Sequence, residues 1–321
     1  MISCLQLDSY LQQLLEQNSK LETTENLEGT IVWKGGGGDE RWSNPLNWWG
    51  KRVPLPGERV VFDGRSIGDA VVDCEVTVKS LEISSEYIGT VTSWPAGCLR
   101  ARKTILIRGG VVNARLQALG DVVLAGGVVN GSLEAGGNVA IASGNIHCYL
   151  SANGDVIIEN GELVWYGGKI KGDVLLSGGN IFLAGCYYFE GDFQRTGGKI
   201  SGTPSFYFIG NRPQTFNAGA DKINLWDFSV LTSRFGSELN LNGQVNVCGC
   251  FCNTGTVKVL DGAVLEIAAE GSRYYNMGTI IASSTAKVIR QKLLVAVSES
   301  EDVSLRASAI KGFAPPLSSP L

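Results

Sequence analysis

A net charge of −4 spread over 321 residues, with no basic cluster, leaves no electrostatic footprint for nucleic acid or for an anionic membrane surface. Apolar residues make up 44% of the chain and charged ones 18%, which suits a large core and not a highly solvated chain. No run of 18 apolar residues occurs, so no membrane span is expected.

The first predicted element is a helix over residues 5–20, where Leu5, Tyr10, Leu11, Leu14 and Leu15 form a broad apolar face with Gln, Glu and Lys elsewhere. Such a helix could cap the exposed sheet edge of a repeat array or dock on another subunit. The stretch MISCLQLDSYLQQLLEQNSK has neither the basic start nor the uninterrupted apolar run of a secretory signal peptide. Synthesis and assembly in a cytoplasm are therefore expected, unless another route exports the protein. KLETTENLEG reads as a linker, which closes a first segment at residues 1–29.

Residues 30–100 open with a string that runs from Trp33 through four glycines, Asp39, Trp42, Ser43, Asn44, Pro45 and Asn47 to Trp48 and Trp49, followed by Pro54, Pro56, Gly57 and Val60 to Asp63. Strand-like runs follow. This string resembles the opening module of bacterial and phage right-handed β-helix proteins of the pectin-lyase-like class. The resemblance implies that the segment forms a capping module and first coils, with its tryptophans plugging the N-terminal end.

Between residues 101 and 202 the chain repeats itself every 17–19 residues, with copies starting at 103, 120, 137, 154, 172 and 191. A short fixed period with two strand-like runs and a glycine corner predicts one coil of a β-solenoid per repeat, each burying its apolar side chains by stacking on its neighbours. Inward columns are predicted at 105, 122, 139, 156, 174 and 193, and at 107, 124, 141, 158 and 176. The second run adds Val112, Val129, Ile146, Leu163, Ile181 and Ile200, then Leu116, Leu133 and Leu150, then Ala118, Ala135 and Ala152. The expected fold is all-β: a right-handed parallel β-helix with an N-terminal amphipathic helix.

Three features of this region carry possible chemistry. The first is a carboxylate column, Asp121, Asp155, Asp173 and Asp192, whose neighbours on successive coils would lie about 5 Å apart, a spacing that could serve a glycosidase pair or chelate Ca²⁺. Because each Asp follows a Gly, ordinary corner chemistry is the preferred reading. Lys171, Lys199 and Arg195 form no consistent facing column, so no catalytic residue, metal site or cofactor is expected. The second is the group Trp165, Tyr166, Tyr187, Tyr188 and Phe189, where the coils lengthen. Its rings could meet a sugar or a protein, and Trp165, Tyr166, Tyr187 and Tyr188 are taken as a candidate contact patch. The third is a column that should be polar and is not. Leu106, Val123, Ala140, Ile157 and Leu175 alternate with inward residues and so point outward. Such a flank needs cover from symmetry mates, another protein or the C-terminal part of the chain, and is the candidate oligomer interface.

Cys248, Cys250 and Cys252 share one side of a strand, and with the other cysteines they read as reduced core thiols stacked inside the solenoid rather than as a metal site. His147, the only histidine, falls in the column of Asn113 and Asn130 and reads as a corner residue of a polar ladder. Residues 203–296 drift in period but remain similar to the later coils of bacterial surface β-helices. GGVVNGSLEA resembles the coil pattern of bactofilin filaments, to which the Trp-rich opening is foreign. The prolines of 297–321 mark a tail. The expected function is that of a non-enzymatic structural protein, a homotrimer packed along the apolar flank; the β-helix opening together with the missing signal peptide points to a phage virion (tail, fibre or capsid decoration), with other virion proteins as partners. A bacterial cell-surface or extracellular adhesin is the alternative, with surface polysaccharide as ligand, followed by a carbohydrate-active enzyme on the same scaffold.

Overall fold

The computed structural model describes residues 29–290 except 67, 94–96, 232–236 and 268–272. The helix expected over 5–20, its linker and the tail over 297–321 lie outside the described residues. The described strands run from Thr30–Val32 to Lys287–Arg290, pair in parallel, and wind into a β-solenoid of about 11 coils. A single 3-10 turn, Pro45–Asn47, is the one helical piece among the described residues, and no helix there is long and apolar enough to cross a membrane.

Strand register fixes the repeat. Val122 pairs with Val139, Val139 with Val156, Val156 with Val174 and Val174 with Phe193, at intervals of 17, 17, 18 and 19 residues. One repeat is therefore one coil, and each valine buries its side chain on the next. The predicted inward residues of the repeats are buried, apart from Ile200, which is half-buried against the core. Three stacks of strands make the walls. The first contains Ile105–Ile107 and its partners, the second Thr90–Thr92 under Val111–Asn113, and the third Cys98–Ala101 under Arg115–Ala118. Between the first and second walls the chain turns at Gly127, whose φ is +73°. A Cβ there would lie 2.6 Å from the carbonyl oxygen of Gly109 in the preceding coil, so glycine is required twice over, by backbone angle and by space.

The tryptophans of the opening pack together inside the first described coils. Trp33, Trp42 and Trp48 are buried, with ring centroids 4.9 Å apart for Trp33 and Trp48 and 4.5 Å for Trp42 and Trp48, above Phe62 and Tyr87. Asn47 is fully buried and holds the glycine loop, accepting from the Gly37 amide at 2.5 Å and donating to Asp39 and to the Arg41 carbonyl. Over residues 187–228 the interior becomes rich in aromatic side chains, and beyond them it is again mostly aliphatic. Phe189, Phe193, Phe206, Phe208, Phe216, Phe228 and Phe251 are all buried, each worth about 1.5–3 kcal/mol of burial. Larger side chains fill a wider coil, and Phe193 pairs with Phe216 across 23 residues. This accounts for the drift in period. The last coil, Arg273–Asn276, Thr279–Ala282 and Lys287–Arg290, pairs on one side only among the described residues.

Candidate functional site

Regular winding turns every outward position into a column. The apolar one is assembled as read: Glu82 pairs with Leu106, Leu106 with Val123, Val123 with Ala140, Ala140 with Ile157 and Ile157 with Leu175. Its surroundings are not as expected. The five apolar residues are 0–8% exposed in the single chain and form a hydrophobic cluster separate from the main core. Leu106, Val123, Ala140, Ile157 and Leu175 therefore present no open patch to a second copy, because their surface is already covered within one chain. Glu82, at the head of the column, is also buried and is held by Arg59 and by Arg108, the latter at 2.8 Å.

The carboxylate column is a hydrogen-bonded ladder. The Oδ1 of Asp121 accepts from the amide of Asn138, Asn138 from Asp155, Asp155 from Asp173, Asp173 from Asp192, and Asp192 from Thr215, all at 2.7–2.9 Å. Asn138 is a rung that reading Gly-Asp pairs alone misses, although Gly137 precedes it. Arg212 caps the lower rungs at 2.8 Å from Asp173 and 3.5 Å from Asp192. Each side-chain oxygen thus satisfies an amide of the following coil, which is a stacking role. Arg195 has turned inward and is buried, donating to the carbonyls of Gly197, Gly198 and Ala218 and to Asp221. It does not face the ladder. Among the described residues no three potential ligands gather into a metal site.

The aromatic group divides. Trp165 and Tyr187 are buried in the core, with centroids 4.9 Å apart. The Trp165 indole donates to the Gly167 carbonyl at 3.1 Å, and the Tyr187 hydroxyl donates to the Trp165 carbonyl. Burial pushes the Tyr187 phenol well above its usual range. Strand parity explains the correction: Leu163 faces inward, so Trp165 does, and Phe189 faces inward, so Tyr187 does. Tyr166 and Tyr188 are exposed, and each pairs with a ring that was not anticipated. Tyr149 lies 5.8 Å from Tyr166, and Tyr207 stacks 4.9 Å from Tyr188. The Tyr207 hydroxyl reaches Asp227 at 3.4 Å. Burial, then the neighbouring charges that include Asp227, push its phenol upward.

The thiols also divide. Cys98 and Cys148 are buried, but Cys248, Cys250 and Cys252 are half-buried on the outer side of a wall whose Phe251 points inward. Burial first, then Asp227, raises the Cys250 thiol, and burial raises Cys252. His147 pairs in register with Asn130, which itself pairs with Asn113 and donates to it at 2.7 Å. It is an exposed residue in the middle of a strand rather than at a corner. No family model, curated protein or solved structure matches the chain.

Proposed function

We propose that the protein is a non-enzymatic structural β-solenoid, a component of a larger assembly, with the phage particle as its setting and a capsid decoration, tail or fibre as its place. The observation that carries this reading is the side-chain ladder from Asp121 to Thr215. The most regular polar feature of the surface ties coil to coil, each rung's side-chain oxygen accepting a backbone amide of the following coil. The resemblance of the Trp33–Trp49 string to phage and bacterial β-helix openings supports the setting and a right-handed winding. Self-association, as a homotrimer for a fibre, is assigned to the last coil. Its strand edges are unpaired among the described residues, and Tyr275, Met277, Ile281, Val288 and Ile289 are exposed there.

A second reading, a surface adhesin that binds carbohydrate, is favoured by the exposed ring pairs Tyr149 with Tyr166 and Tyr188 with Tyr207. Incubation with acidic polysaccharides and calcium separates the readings. The structural account predicts no unsaturated sugar product. Turnover that Asp173→Asn abolishes would replace it with an enzyme, and binding that Tyr166→Ala and Tyr188→Ala abolish, without turnover, would favour the adhesin.

A further inference from the structure

Four Asn–Gly pairs occur in the chain: Asn130–Gly131, Asn153–Gly154, Asn160–Gly161 and Asn242–Gly243. A glycine after an asparagine leaves its amide nitrogen without steric cover, open to attack the asparagine side chain. The solenoid treats the four pairs differently. Asn130 and Gly131 lie inside a strand with a coil paired on either side, and the Asn130 side chain is turned to Asn113, to which it donates at 2.7 Å. The amide of Gly154 is committed to the carbonyl of Gly137 at 2.8 Å. Asn160 stands at an exposed bend, and among the described residues its side chain makes no bond to the Gly161 amide.

Asn242 is held otherwise. It is exposed at the end of Glu238–Asn242, and its Oδ1 accepts the amide of Gly243 at 2.9 Å. Since a carbonyl carbon lies about 1.2 Å from its oxygen, the Asn242 Cγ is kept within about 4 Å of the Gly243 nitrogen, close to a near-attack arrangement. The corner enforces this contact. Gly243 alone joins Glu238–Asn242 to Gln244–Asn253, with φ of +87°, and a Cβ on it would lie 2.7 Å from the Gly219 carbonyl oxygen. Glycine is therefore required. One coil earlier Asn217 pairs in register with Asn242, but its Oδ1 accepts from Gly219, two residues on, at 3.1 Å. A nitrogen that far along the chain does not close the five-membered imide.

We propose that Asn242 is a modification site of the protein, converted without an enzyme to aspartate and isoaspartate. The Gly243 nitrogen gives its proton to water and bonds to Cγ. The Cγ–Nδ2 bond breaks, and Nδ2 leaves as ammonia with a proton taken from water. A second water then opens the cyclic imide. Breaking the N–Cγ bond yields aspartate, and breaking the bond from that nitrogen to the backbone carbonyl carbon yields isoaspartate, whose main chain is one carbon longer. Both products add a negative charge to the corner. In isoaspartate the carbonyl at this position, which accepts the Ala218 amide at 2.9 Å in the unmodified chain, is displaced from its partner, so modification loosens the coil at one point.

The test is peptide mapping by mass spectrometry of the folded full-length protein, aged at mildly alkaline pH. Asn242 is expected to convert at least about tenfold faster than Asn130 and Asn153, and faster than Asn160, with both aspartate and isoaspartate found. In urea the four rates approach one another, because the corner no longer holds the contact. Asn242→Gln keeps an amide there but needs a larger ring, and it removes the acidic species that the parent accumulates on isoelectric focusing. Conversion of Asn242 no faster than that of Asn153 in the folded protein would overturn the proposal. So would aspartate without isoaspartate, because hydrolysis would then have bypassed the imide, or an acidic species that forms in Asn242→Gln at the parent's rate.

Discussion

The Oδ1 of Asp155 accepts the backbone N–H of Asp173 one coil further on, at 2.8 Å, and the amide side chain of Asn138 serves Asp155 in the same way. An amide oxygen therefore already does natively what the carboxylates do. Asp155→Asn is expected to change stability by less than about 0.5 kcal/mol, whereas Asp155→Ala leaves the Asp173 amide unpaired and costs about 1–2 kcal/mol. Urea midpoints of the two variants check this. Equal losses would mean that charge, not hydrogen bonding, is what the ladder supplies.

Val123 is fully buried although its side chain stands outward from the coil. Val123→Asp is expected to destabilise the single chain by about 3–5 kcal/mol, through an unpaired carboxylate buried in an apolar cluster. The equivalent change at the half-buried Gln194 is expected to be close to neutral. Chemical denaturation at low protein concentration gives both values. A Val123→Asp chain as stable as the parent but changed in oligomeric mass would return the column to the role of a contact between copies.

Burial pushes the Cys148 thiol up to about 12. In the unfolded chain the thiol ionises near 8.5, so its contribution to stability is complete below about pH 8.5 and declines as the pH rises toward the folded value. The urea midpoint should fall more steeply between about pH 8.5 and 10.5 in the parent than in Cys148→Ala. Alkylation of the native protein should reach the exposed Cys186 and spare Cys148.

At the acidic end, the guanidinium of Arg52, followed in effect by the Leu55 amide, holds the Glu58 carboxyl below its usual range despite partial burial. A lowered folded value stabilises above the unfolded pKa of about 4.3 and is lost as the pH falls through the folded one. Arg52 is half exposed, so the effect is below about 1 kcal/mol. The gap in thermal midpoint between the parent and Glu58→Gln should be widest near pH 7 and narrow as the pH falls from about 4.3 through the lowered folded value.

Much of the fold was legible because stacking forces the same residue class into the same place in every coil. Val122, Val139 and Val156 can be aligned by eye, and the structure pairs them. Parity also contained the answer for Trp165 and Tyr187, two places from Leu163 and Phe189, but the longer coils there carry register shifts that hide the alternation. The burial of Val123 and Ala140 was not legible in the repeat, since a repeat specifies which way a side chain points and not what lies over it. Arg195 was equally opaque. It occupies an inward position filled by Leu176 in the previous coil, and its donors are satisfied because the carbonyls of Gly197, Gly198 and Ala218 and the carboxylate of Asp221 converge on it.

Sedimentation velocity of the full-length protein over a range of concentrations tests the structural account most directly. The account predicts a discrete multiple of the single-chain mass, reduced to the single chain by Ile281→Asp with Val288→Asp in the last coil. A parent protein that stays a single chain at every concentration would contradict it.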